Sequence, residues 1–140
     1  RLIGSELESV FGSATSGTSM FDNMISEEWE YYERVYSECA ENVCAGRIQR
    51  SVSMGTGLML EVESLCVPLA DNDDDPCFIL GVMVMKQSRD LSVKAQNGDI
   101  PKNQILRQKF VDLGTGIPED MPPPPTLENV APFQFRQLYI

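Results

Sequence analysis

The chemistry open to this 140-residue chain is bounded first by a missing residue: it contains no histidine. That removes the commonest general base, the Ser–His and Cys–His nucleophile pairs, and the commonest transition-metal ligand. Four cysteines remain, Cys39, Cys44, Cys66 and Cys77. None forms a C-x-x-C pair, so neither the dithiol redox motif nor a zinc knuckle is present. Cys39 and Cys44 lie in a helical segment at a spacing that does not place them on one face. Cys66 and Cys77 sit in apolar, strand-like runs. Buried, reduced thiols are the expected state, with no metal bound through them.

The carboxylates offer two further candidates. Asp71, Asp73 and Asp75 fall at the first, third and fifth positions of a calcium loop. The sixth position needs glycine and holds Pro76, and the twelfth needs glutamate and holds Val82, so the run reads as a solvated hairpin turn. Glu61 and Glu63 lie on one side of a strand and resemble a catalytic pair. General acid work needs a raised pKa in a sequestered cleft, and nothing local supplies one. Glu61 would join a pocket only if its face were covered. Gly55-Thr56-Gly57 has no following lysine or helix and reads as a hairpin turn, not a phosphate loop. The chain is expected not to be an enzyme.

Net charge is −10. Such a surface repels phosphate backbones, and Arg47, Arg50, Lys102, Arg107 and Lys109 are too sparse for a basic groove. Nucleic acid and anionic membranes are therefore excluded as partners. Hydrophobic residues make up 42%, with no run near the ~18 apolar residues that cross a bilayer. The opening Arg1-Leu2-Ile3-Gly4-Ser5 lacks an apolar signal-peptide core, and a cytoplasmic location is expected.

The elements that must position these residues follow from periodicity. Ser5 to Gly12 reads as a two-turn helix with Leu7, Val10 and Phe11 on one side. Ser26 caps a longer helix with Glu27 and Glu28 in its first turn and a stripe of Trp29, Tyr32, Tyr36, Cys39 and Val43, widened by Val35 and Ala40. Gly46 is its stop signal. Arg47–Met54 alternates Ile48, Arg50, Val52 and Met54 against polar partners. Leu58–Leu69 alternates Leu58, Leu60 and Val62 against Glu61 and Glu63, then blurs as if a bulge or two-sided cover intervened. Phe78–Met85 is wholly apolar, the pattern of a central strand buried on both sides. Residues 88–103 read as polar and turn-rich, Gln104–Leu113 as a short helix, and the four prolines after Met121 as a polyproline II linker. Phe133–Ile140 reads as an edge strand or a tail.

Helices followed by three antiparallel strands imply an α+β sheet with helices on one face. The motifs then resemble a PAS-like family common in alphaproteobacteria. Arg1-Leu2-Ile3-Gly4-Ser5 with Phe11-Gly12 is similar to its R-L-x-G-[ST]…F-G opening. Gly17-Thr18-Ser19-Met20-Phe21-Asp22 follows before the long helix, then Leu60-Glu61-Val62, Pro68-Leu69, the acidic turn and Ile79-Leu80-Gly81. The resemblance covers residues 1–85. It implies a five-stranded antiparallel sheet cradling a ligand cavity, in domains that sense small molecules, redox state or light, or pair with another chain. The family's first strand would precede Arg1, or the tail around Phe133 would replace it.

The organisation expected is a PAS-like core over 1–86, an extension over 87–121 and a proline-rich linker with its edge strand or tail over 122–140. The expected function is a sensory, signal-transducing module that binds a small ligand or partner protein and responds by changing shape. The alternative is a structural homodimerisation domain with a filled core. A ligand would lie between the long helix and the inner sheet face, against Phe21, Trp29, Tyr32, Tyr36, Leu60, Val62, Leu80 and Val82. No haem or flavin motif accompanies the aromatic cluster at Trp29, Tyr31, Tyr32 and Tyr36, so core packing is its default role and the cofactor is unassigned. Phe78–Met85 would leave Ile79, Met83 and Met85 as an apolar patch unless a second copy or the Ile105–Val111 segment covered it.

Overall fold

A computed structural model describes residues 26–53, 57–101 and 103–127, with Ser5 and Gly17 as isolated positions. The order is helix α1 (Ser26–Asn42), strands β1 (Ala45–Ser53), β2 (Met59–Ala70) and β3 (Pro76–Gln87), helix α2 (Arg89–Gln96) and strand β4 (Gln104–Val111). The strands form one antiparallel sheet in the order β3-β2-β1-β4. The α+β class holds, with four strands among the described residues. Phe21, the Ser5–Gly12 helix and the Phe133–Ile140 segment lie outside the described residues.

Antiparallel partners share a face, so the register sorts the sheet. Rows Gly46–Cys66–Gly81, Ile48–Ser64–Met83, Arg50–Val62–Met85 and Val52–Leu60–Gln87 form one face. This inner face meets α1, which packs across β1, β2 and β3. The core joins Tyr31, Tyr32, Val35 and Cys39 of α1 to Cys44, Ile48, Cys66 and Phe110. Gly46 allows the close approach: a Cβ there would lie 2.8 Å from Cys66 Sγ and 3.1 Å from both Cys39 Sγ and Val35 Cγ1.

The alternation of β1 and β2 places Ile48, Arg50 and Val52 with Leu60 and Val62 inside, as expected. Four other expectations are corrected. Gly46 lies inside β1; α1 ends at Asn42, where Val43 takes φ 50° and Cys44 N–H donates to Cys39 O, 3.1 Å, in a Schellman-type closure. Residues 88–103 contain α2, whose N-cap Ser88 accepts from Leu91 N–H. Gln104–Val111 is a strand, because the free edge of β1 takes it into the ladder in place of a helix. It therefore lies beside β1 and does not cover the β3 side.

The largest correction concerns Phe78–Met85. It lies in the edge strand of the described sheet, open on its outer face, not at the centre. A buried strand and an exposed apolar strand have the same composition; only the pairing order separates them. β4 also makes part of the 87–121 stretch continuous with the sheet of the 1–86 stretch. Beyond it, 121–127 carries no helix or strand, yet Pro122 and Leu127 are buried and Met121 packs on the core. Gln108 ties this stretch down, accepting from Tyr31 O–H at 2.6 Å and donating to Pro122 O at 2.9 Å.

Candidate functional site

The helix phase decides what faces the sheet. Buried positions on α1 are Glu28, Tyr31, Tyr32, Val35 and Cys39. That stripe is rotated from the expected one, so Trp29 sits at the rim, 38% exposed. A buried ion pair accompanies the new phase. Arg50, projecting inward from β1, donates from Nη1 to Glu28 Oε1 and, at 3.3 Å, to Tyr32 O–H. Both partners of the ion pair are almost wholly buried. Burial works against the charged guanidinium, but Tyr32 and Glu28 outweigh it and hold the Arg50 pKa above its ordinary value. Burial drives the Tyr32 phenol upward, so it stays protonated. Arg50 Nε and Nη2 have no hydrogen-bond partner among the described residues.

The expected ligand contacts divide three ways. Tyr32 and Tyr36 sit together, ring centroids 5.9 Å apart, with Tyr36 packed against the main core. Leu60 and Val62 belong to a second cluster with Val52, against which Met83 and Met85 pack. Arg50 stands between the groups, bonded to Tyr32 and paired in register with Val62. Leu80 and Val82 are on the opposite face, 49% and 52% exposed. Their register partners are Val67 and Leu65, whereas Gly81 turns inward opposite Cys66. The error is one of parity: an unbroken apolar run carries no alternation from which to read a face.

The thiols fill the far end of the inner face. Cys66 S–H donates to Gly46 O at 3.3 Å, and its sulfur lies 3.8 Å from that of Cys39. Cys39, Cys44 and Cys66 are buried and free, as expected. The contact with Cys66, and burial after it, hold Cys39 far above the ordinary thiol range, which makes it inert as a nucleophile. Among the described residues, no group of three His, Cys, Asp or Glu side chains could hold a metal. The acidic turn closes on itself: the Asp71 carboxylate Oδ1 accepts from Asp73 and Asp75 N–H, with Asp74 at φ 62°.

The outer face has two halves. Toward α2 it is polar: Glu61 pairs with Lys86 at 3.1 Å and accepts from Gln49, while Glu63 pairs with Arg47 at 2.7 Å. The glutamates thus face cations on an accessible surface rather than each other. Glu61 lines an open groove of about 470 Å³ with Gln49, Asp90, Leu91 and Arg107. Toward the acidic turn the face is apolar. The cross-strand pairs Leu65–Val82, Val67–Leu80 and Leu69–Phe78 lie side by side, with Val84 adjoining. Phe78 and Val84 are each 64% exposed. The blurred alternation after Glu63 was this patch, and the one register shift of the β2–β3 ladder falls later, at Leu69/Ala70.

Compared with family models, curated proteins and solved structures, the chain matches none. No helix among the described residues is long and apolar enough to cross a membrane.

Proposed function

We propose that this chain is a PAS-like regulatory module that acts by association, pairing with a second copy through the outer face of β2 and β3. The observation that carries the reading is the uncharged patch of Leu65, Leu69, Phe78, Leu80, Val82 and Val84, exposed on one face of an edge hairpin. It exposes on the order of 500 Å², the size of the largest patches on monomeric proteins, and two such faces reach the ~1,000 Å² of a specific interface. A second copy fits the chemistry. An apolar surface without charges is self-complementary across a two-fold axis. In a chain of net charge −10, it is also where two copies approach without opposing carboxylates. A packed inner face around Val35, Cys39 and Ile48 favours the homodimerisation branch of the expectation over a cavity at that end.

Val82→Lys places a charge at the patch centre without touching the core. Analytical ultracentrifugation is expected to find a dimer for the native chain and a monomer for the variant, with unchanged far-UV circular dichroism. A native chain that stays monomeric at tens-of-micromolar concentration, or a variant that stays dimeric, rejects the reading.

A further inference from the structure

We propose that Arg50 is the anchor of a binding site for a small monocarboxylate with an apolar tail, on the inner face between the first turns of α1 and the β1–β2–β3 row. The site is independent of the outer-face dimer. Arg50 is 8% exposed and spends only Nη1 on Glu28 and Tyr32. Nε and Nη2 are buried with no partner among the described residues. These two nitrogens form the side-on fork of a guanidinium, whose parallel N–H bonds match the two oxygens of a carboxylate. Buried donors of a charged group are costly to leave unmade, so an acceptor there is strongly favoured.

The surroundings select among acceptors. Glu28 already offsets the charge of Arg50, so a dianion such as phosphate meets repulsion where a monoanion meets less. Tyr32 accepts from Nη1 and retains its own proton to donate. Across the sheet the Arg50 row continues into Val62 and Met85, and Met83 packs beside them. This is an apolar path ending in half-buried methionines, side chains that adapt to irregular occupants. A carboxylate on the fork would lay its tail along that path.

The test follows the Arg50 Nε–H resonance by NMR while the full chain is titrated with butyrate, butyramide and inorganic phosphate. Butyrate at millimolar concentration is expected to shift that resonance and slow its exchange with water, with much smaller effects from the amide and from phosphate. Arg50→Lys, which keeps the charge but loses the fork, is expected to weaken butyrate binding about tenfold or more, read at the Met83 and Met85 methyl resonances that line the tail path and persist without Arg50. The double variant Arg50→Met with Glu28→Gln removes both buried charges together, so neither is left unpaired; it should fold and show no butyrate response at those methyls. An unmoved resonance would leave solvent as the acceptor and overturn the site. A stronger response to phosphate or butyramide would overturn the ligand class, and a response retained in the double variant would overturn the role of Arg50.

Discussion

Gly46 and Cys66 face each other across β1 and β2 so closely that the Cys66 thiol occupies the place a Gly46 side chain would need, 2.8 Å from where its Cβ would stand. The thiol donates to the Gly46 carbonyl, and Cys39 and Val35 of α1 close over the same point. Helix and sheet therefore meet through sulfur and bare backbone. Gly46→Ala inserts a methyl into a boxed site and is expected to destabilise the fold by about 1–3 kcal/mol, the usual range for overpacking. Urea denaturation gives the value, and a midpoint equal to that of the native chain would contradict the packing.

The end of α1 holds a β-branched residue in a glycine conformation. Val43 has φ 50°, a region that disfavours side chains by about 1–2 kcal/mol. Its side chain is well exposed, so little packing is lost on truncation. Val43→Gly is expected to raise stability by about 0.5–1 kcal/mol, the strain relief being partly offset by greater freedom of the unfolded chain. A lowered thermal midpoint would show that Val43 makes contacts that matter more than its backbone.

Ser51 is fully buried on the outer side of β1, and its hydroxyl has no partner among the described residues. Losing that hydroxyl removes a desolvation penalty without leaving a new orphan, so Ser51→Ala is expected to stabilise by about 1 kcal/mol. Ser92 makes the contrast. Its hydroxyl donates to Ser88 O and accepts from Met59 N–H, docking α2 on β2. Ser92→Ala strands the buried Met59 N–H and should cost about 1–3 kcal/mol. Chemical denaturation of both variants checks the opposite signs.

Asp112 organises the loop after β4. Its Oδ1 accepts from Gly114 N–H at 2.7 Å and Gly116 N–H at 2.9 Å, and these bonds lower its pKa from the ordinary 3.8. Thr115, held between them, donates to Asn42 O and Val43 O at the end of α1. A depressed folded pKa contributes stability that is present above the unfolded value and lost as pH falls through the folded one. The Gly114 and Gly116 amide resonances are therefore expected to titrate with a midpoint below 3.8. Asp112→Asn should reproduce the acid form at neutral pH. A midpoint at or above that value would mean that the turn does not hold the carboxylate.

Much of the frame was legible where local rules suffice. The acidic first turn and aromatic spacing marked α1. Alternation placed Ile48, Arg50, Val52, Leu60 and Val62 on one face, and Asp71–Pro76 marked the hairpin. Three of the eight expected ligand contacts lie elsewhere for reasons of phase: Trp29 at the rim, and Leu80 and Val82 on the outer face. Trp29 and Glu28 are neighbours, and hydropathy favours burying the tryptophan; the structure buries the glutamate, paired with Arg50. No local pattern announces a pair separated by β1 and the helix. Alternation puts Arg50 on the inward face of β1, but nothing local marks Glu28 as the charge that meets it there.

What the sequence by itself determined was therefore the set of elements bounded by caps, turns and period: one long amphipathic helix, two alternating strands, an apolar strand and an acidic turn between hairpin arms. Only the tertiary structure decided which face Leu80 and Val82 occupy, that Phe78–Met85 lies at an edge, and that Gln104–Val111 extends the sheet rather than coiling. Period and turn chemistry are local, acting within a few residues, so they can be read along the chain. Strand order, the parity of a uniform apolar run and the partner of a buried charge depend on backbone pairing and packing between residues far apart in sequence, and those are settled only when the sheet closes on α1.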